Sequence, residues 1–300
     1  MQDLYQQALQ SFLDYTKFEK RYSQHTIVSY RTDLEQFFAY LASQYASPAL
    51  NDISTAFVRS WLAEMKGDNM TSKSINRKIS ALKSFFKYHL RTGTVTATPM
   101  EAVTAPKISK RLPEFVQEKD MLKLFSELEF PATWRGSTDK LLLMLFYQTG
   151  MRLSELVNLK ERQVDASKQV VKILGKGNKE RIVPIAKELV NDLEAYRLAK
   201  RKELTHFNDT CLFVLDNGKQ LYPKYVYLIV KKYLGQFTTL NRKSPHILRH
   251  TFATHLTNNG ADLNAVKELL GHASLAATQV YTHNTIEKLR NTYKKAHPKA

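Results

Sequence analysis

Three hundred residues supply enough chain for two domains, each with its own core. Hydrophobic content of 43% with 24% charged residues, no apolar run approaching eighteen residues and no basic-then-apolar start after Met1-Gln2-Asp3-Leu4 argue against a membrane span and a secretory signal. The single cysteine, Cys211, excludes an internal disulfide, so the expected compartment is reducing and cytoplasmic. A net charge of +17 points to a polyanionic partner, nucleic acid above all. The charge is uneven: residues 1–106 carry 12 Lys and Arg against 9 Asp and Glu, a net of +3, and residues 107–300 carry 33 against 19, a net of +14.

The first hundred residues read as four helices in a compact bundle. Leu4, Ala8, Phe12 and Tyr15 recur at helical spacing, and Ile27, Tyr30, Leu34, Phe37, Phe38 and Leu41 repeat the pattern between Ser23 and Ala42. Asn51 to Ser54 look like a helix start leading to Phe57, Trp61, Leu62 and Met65, and Gly67-Asp68-Asn69 breaks the chain. Thr71 to Ser74 then open a fourth helix with the apolar stripe Ile75, Ile79, Leu82, Phe86 and Leu90. Its complement is basic: Lys73, Arg77, Lys78, Lys83, Lys87 and Arg91. Two readings stand for that basic set, a solvated face or a helix laid on DNA.

Thr98-Pro99 and the aperiodic stretch from Ala105-Pro106 to Leu112-Pro113 read as a basic interdomain linker over 107–112, after a domain of residues 1–106 and before one of residues 113–300. Lys107, Lys110 and Arg111 in it suit either a strap across DNA phosphates or a plain solvated linker. Beyond it, Gln117–Glu129 and Thr138–Gln148 read as helices, the second ending at Gly150, and Leu153–Leu159 as another short one. Val170–Leu174 and Arg181–Ile185 form a hairpin around Gly175-Lys176-Gly177-Asn178-Lys179. Ala186–Lys202 is helical, Cys211–Leu215 is a candidate short strand, and successive helices follow from Tyr222. The fold class is therefore mainly α with a small β-sheet, in two domains.

Cleaving a phosphodiester without a metal needs a nucleophile in line with the leaving oxygen, fixed cations on the nonbridging oxygens and a proton for the leaving group. Arginine suits the second task because its planar fork grips phosphate and stays charged. Arg152 follows the helix-ending Gly150 and precedes a new helix, whose dipole favours anions; Glu155, three residues on, can orient a neighbouring cation. Lys176 sits between two glycines at a hairpin tip. His246 and Arg249 share one turn of a helix started by Ser244-Pro245, whereas His250 and His255 read as packing or capping groups. His272 follows Gly271, a helix-ending glycine, and eight residues separate it from Tyr281, the candidate nucleophile. No zinc spacing, acidic cluster or Walker loop is present, so neither metal nor nucleotide cofactor is expected.

Taken together, Thr149-Gly150-Met151-Arg152-Leu153-Ser154-Glu155-Leu156, Lys176, His246-Ile247-Leu248-Arg249, Leu270-Gly271-His272 and Tyr281 resemble the tyrosine recombinase (phage integrase-like) family, and within it the Xer-type recombinases. Thr26-Ile27-Val28-Ser29-Tyr30 and Asn76–Leu82 are similar to that family's core-binding domain, and His297-Pro298-Lys299-Ala300 to the Xer ending. The resemblance implies a two-domain DNA clamp, with an N-terminal four-helix core-binding domain and a C-terminal α+β catalytic domain. It implies that Tyr281 attacks the scissile phosphate, Arg152 and Arg249 hold the nonbridging oxygens, and Lys176 protonates the leaving oxygen. It also implies that His246 assists the tyrosine proton, His272 donates to the phosphate and Glu155 supports the site from behind. The partners it implies are double-stranded DNA, a homo- or hetero-tetramer with the same or a paralogous recombinase on two DNA sites, and a DNA translocase as candidate activator. The helix Ile286–Ala296, with Ile286, Leu289 and Tyr293 on one seam, is expected to dock on a neighbour, although packing in cis gives the same pattern.

The leading reading is a site-specific recombinase that works through a 3′-phosphotyrosyl intermediate and a Holliday junction, resolving chromosome dimers at cell division. The competing readings are an integrase of a mobile element, a type IB-like topoisomerase and a non-catalytic DNA-binding protein. The compact length, with no additional arm-binding domain before the helical bundle, favours the first. Tyr281 is expected to lie out of line in a DNA-free protomer.

Overall fold

The computed structural model describes residues 2–108, 114–175, 179–271 and 291–298. The chain divides into two compact units, Met1–Arg111 and Leu112–Ala300, each with its own hydrophobic core.

In the first unit, α1 (Gln2–Asp14) runs into a π-turn at Tyr15–Glu19, followed by α2 (Gln24–Tyr45), α3 (Thr55–Gly67) and α4 (Ser72–Arg91). The expected four helices are present, and the starts of α2 and α4 are set by side-chain caps. The Ser23 hydroxyl accepts from the Thr26 amide and the Thr71 hydroxyl from the Ser74 amide, each satisfying a donor that the first turn leaves unpaired. The core is aromatic: Phe12 packs against Tyr30 and Phe85 with ring centroids 5.9 and 5.5 Å apart, and Phe37 against Trp61 at 5.0 Å. Leu34, Phe37, Leu41, Phe85 and Phe86 are fully buried, each contributing about 2 kcal/mol of transfer free energy.

The second unit contains α5 (Glu118–Glu127), α6 (Trp134–Thr149), α7 (Leu153–Val157), β1 (Val164–Asp165), β2 (Val170–Leu174), β3 (Glu180–Pro184), α8 (Lys187–Glu203), α9 (Pro223–Phe237), α10 (Pro245–Asn258) and α11 (Leu263–Leu270). Residues 291–296 are also helical. The sheet is antiparallel with order β1-β2-β3, and β2 and β3 pair from Val170↔Pro184 to Leu174↔Glu180. The hairpin agrees with the sequence pattern, and the two-residue β1 is an addition to it. The candidate strand Cys211–Leu215 is a correction: the segment makes only the isolated bridges Lys160↔Cys211 and Val214↔Gln220. Its buried apolar residues fill a core position, and apolar content alone does not supply a ladder partner. Helix α6 also begins one turn earlier than its apolar run, because the Thr133 hydroxyl caps the Gly136 amide.

Helices α6 and α10 form the spine of this unit. Leu142, Leu145 and Phe146 on α6 and Leu248, Phe252 and Leu256 on α10 are all fully buried. His255 belongs to that spine as a packing residue. Its Nδ1 pairs with the Tyr147 hydroxyl at 3.0 Å and its Nε2 with the Val116 carbonyl at 2.9 Å, and burial lowers its basicity.

Candidate active site

Helix α6 ends at Gly150, whose φ of +56° is in the left-handed region and whose amide bonds the Phe146 carbonyl. A Cβ at Gly150 would lie 2.4 Å from the Phe252 ring and 3.0 Å from Leu270, so glycine is required there for both backbone and packing. This close approach brings the α6–α7 turn against α10 and the end of α11. Arg152 leaves that turn as the residue before α7. The helix-dipole contribution expected at Arg152 is small, because α7 is only five residues long. The donors at its start are taken by a side chain instead: the Arg152 amide donates to Glu155 Oε2 at 2.7 Å.

Glu155 is the hub. Its Oε1 accepts from Arg152 Nη1 at 2.8 Å and Arg181 Nη1 at 3.0 Å, and its Oε2 also accepts from Arg181 Nη2 at 2.7 Å. All four acceptor positions of the carboxylate are therefore filled. Burial alone would push the Glu155 carboxyl up, but the hydrogen bonds and charge of Arg181, with those of Arg152, outweigh it and hold the group at about 2.

Arg249 approaches from α10. Its Nη1 donates to the Gly150 carbonyl at 2.5 Å and its Nη2 to the Leu270 carbonyl at 2.7 Å, while Arg152 Nη2 reaches the Gly271 carbonyl at 3.4 Å. Burial, then the charges of Arg152 and Arg181, bring the Arg249 guanidinium down to about 10, still charged at neutral pH. Three guanidiniums thus surround one carboxylate, and only two of them, Arg152 and Arg181, are bonded to it. The surplus positive charge is held by neutral backbone carbonyls, an arrangement that an incoming phosphate stabilises. His246, one turn before Arg249, is solvent-exposed.

Of the sequence-derived set, the structure brings Arg152, Glu155 and Arg249 together. Lys176, His272 and Tyr281 lie outside the described residues, as do Lys110 and Arg111 of the linker and residues 286–290 of the terminal helix. The residue that sequence reading missed is Arg181, 3% exposed on β3. Its signal was the strand period: Arg181 is two residues before the buried Val183, on the inward face.

On α4, Lys73, Arg77, Lys83 and Lys87 are exposed, and Arg77 lies 2.8 Å from the Asp33 carboxylate. Lys107 is also exposed. Lys78 is a correction to the expected DNA-facing set. It is 3% exposed, bonds Asp33 Oδ1 at 2.9 Å and Gln36, and sits over the Trp61 ring. At 100° per residue it points about 140° away from Lys73, into the buried arc between Phe85 and Leu82.

A surplus-cationic cluster anchored on backbone carbonyls is the kind of site that holds a phosphodiester. Residues 114–288 match the phage integrase family and residues 9–93 the phage integrase N-terminal SAM-like domain. Tyrosine recombinase XerC of Bacillus licheniformis is 40% identical over 292 residues, spanning 96% of this chain and 95% of that protein. XerC of Staphylococcus saprophyticus is 38% identical over 291 residues, 97% of each chain. Among solved structures, the post-cleavage complex of XerH site-specific recombinase with palindromic difH substrate has a TM-score of 0.70 at 26% identity, covering 88% of this chain and 78% of that one. The Tn1549 transposon integrase in complex with circular intermediate DNA has the same fold, with a TM-score of 0.70 at 18% identity over 94% and 98% of the two chains. The chain belongs to the phage integrase family, the tyrosine recombinases, and is a site-specific DNA strand-transferring enzyme. No helix among the described residues is long and apolar enough to cross a membrane.

Proposed function

We propose that the protein resolves chromosome dimers, acting in the cytoplasm as a tetramer, of itself or with a paralogous recombinase, on two double-stranded DNA sites, with a DNA translocase as candidate activator. The observation that carries the chemistry is the joint placement of Arg152 and Arg249 on the carbonyls of Gly150, Leu270 and Gly271, which leaves their charge for the nonbridging oxygens of a scissile phosphate. In this reading the Tyr281 oxygen attacks phosphorus and the bond to the 5′ oxygen breaks. Lys176 supplies the proton to that 5′ oxygen, His246 assists removal of the tyrosine proton and His272 donates to the phosphate. The 3′-phosphotyrosyl bond keeps the energy of the phosphodiester, and the 5′ hydroxyl of a partner strand reverses the step to give a Holliday junction. The exposed Lys73, Arg77, Lys83 and Lys87 of α4 neutralise phosphates, and Lys107, Lys110 and Arg111 of the linker supply further cations for the same role. The near-complete span and 38–40% identity to XerC relatives support chromosome-dimer resolution over mobile-element integration.

The test is covalent trapping on nicked suicide DNA carrying candidate recombination sites. Wild type forms a protein–DNA adduct that resists chelators, and Tyr281→Phe forms none. An adduct undiminished in Tyr281→Phe would overturn the assignment. Relaxation of plasmid without any recombination site would favour a topoisomerase.

A further inference from the structure

Arg181 is built unlike a phosphate ligand, because every bond of its fork is turned into the protein. Nη1 and Nη2 hold Glu155 in a bidentate pair, and Nε donates 2.8 Å to the carbonyl of Leu269, in the last turn of α11. Two glycines close over this pair. A Cβ at Gly175 would lie 3.6 Å from Glu155 Oε1 and 3.8 Å from Arg181 Nη1. A Cβ at Gly271 would lie 3.0 Å from Arg181 Cδ and 3.3 Å from its Nη1. Gly175 is the residue before Lys176, and Gly271 the residue before His272. One buried guanidinium thus bonds the carboxylate that aims Arg152 and the carbonyl of Leu269, three residues before His272, and lies beside Gly271 and Gly175, the residues before His272 and Lys176. Only arginine fits this role: lysine could neutralise Glu155 but could not make two parallel bonds and a third to a carbonyl.

We propose that Arg181 is a positioning residue for strand transfer: through Glu155 it sets the Arg152 guanidinium, and through Leu269, Gly175 and Gly271 it fixes the bases of the segments carrying Lys176 and His272. This rests on the catalytic assignment of Arg152, Lys176 and His272. Arg181 touches no substrate, so its loss slows the chemical step and leaves DNA affinity nearly intact.

The experiment is single-turnover cleavage of suicide DNA at saturating full-length protein, with Kd measured in parallel. Each variant is assayed on a normal scissile phosphate and on one carrying a neutral methylphosphonate. Arg181→Lys is expected to bind DNA within about threefold of wild type and to cleave about 10- to 100-fold more slowly, the scale of a misplaced catalytic group. The deficit shrinks on the methylphosphonate, where less charge has to be met by Arg152. The double variant Arg181→Lys/Glu155→Gln is no slower than the slower single variant, because both act through one unit. Wild-type cleavage by Arg181→Lys, an equal deficit on both substrates, or additive losses in the double variant would overturn the proposal. If Arg181→Lys does not fold, Arg181→Met/Glu155→Leu replaces the ion pair by apolar side chains, a change buried pairs often tolerate. That variant is expected to fold and cleave slowly, and cleavage at the wild-type rate would overturn the proposal. Absence of a Tyr281-dependent adduct from the wild type would instead remove the catalytic assignment, and the inference with it.

Discussion

At Glu155 a single carboxylate accepts four hydrogen bonds from two arginines, and its ionisation is therefore tied to folding. Its folded value of about 2 lies below the ordinary glutamate value of 4.5. The stabilisation is thus complete above about pH 4.5 and is lost as pH falls through about 2, on the order of 3 kcal/mol in all. The urea midpoints of wild type and Glu155→Gln should differ by a constant amount from pH 7 to 5 and converge as the pH drops below 4.5. A gap unchanged down to pH 3 would contradict the assignment. Gly150 makes a second residue-scale prediction. Gly150→Ala places a Cβ 2.4 Å from Phe252 at a φ of +56°, and thermal unfolding should report a loss of about 2–4 kcal/mol from overpacking and backbone strain combined. Arg152 and Arg249 were legible in the sequence because their neighbours, Gly150 and His246, form local patterns. Arg181 has only the strand period to mark it as inward-facing, which does not say what it pairs with, and its partner Glu155 lies 26 residues away.

Helix α4 shows what periodicity resolves and what listing basic residues does not. Lys73, Arg77, Lys83 and Lys87 share an exposed arc, whereas Lys78 lies in the buried one, paired with Asp33. The two kinds of lysine should behave differently. Lys78→Met leaves Asp33 buried with only the half-exposed Arg77 as a cation and should destabilise the first unit by about 3–5 kcal/mol in denaturant titrations. Lys83→Gln should leave stability within about 0.5 kcal/mol and lower the salt slope of DNA binding by about one counterion. Equal stability loss in both would refute the distinction. The same lesson applies to Cys211–Leu215: apolar content gave its burial correctly, but a strand also needs a partner edge, and here only single bridges form.

At the scale of the whole molecule, the last described residues pack in cis. Tyr293 is 2% exposed and donates to Gln148 Oε1 at 3.2 Å, His297 Nε2 pairs with the Tyr147 carbonyl at 3.0 Å, and Asn259 Nδ2 donates to the Ala296 carbonyl. Of the two readings of this helix, docking on a neighbour or packing in cis, residues 291–297 show the cis contacts, against α6 and α10 of the same unit, and Ile286 and Leu289 of the seam lie outside the described residues. Tyr293→Ala should cost about 3–5 kcal/mol in an isolated protomer, read by thermal unfolding without DNA, and an unchanged melting temperature would argue against the cis seat. By itself the sequence determined the mainly helical class, the four-helix bundle, the hairpin and the linear motif set, because these depend on periodicity, caps and short spacings. The tertiary structure alone decided which lysine of α4 is buried, where the terminal helix packs, and that Arg181 completes a three-arginine site around Glu155. Those outcomes depend on contacts between residues far apart in the chain, where burial makes each unpaired charge costly and a distant partner the only remedy.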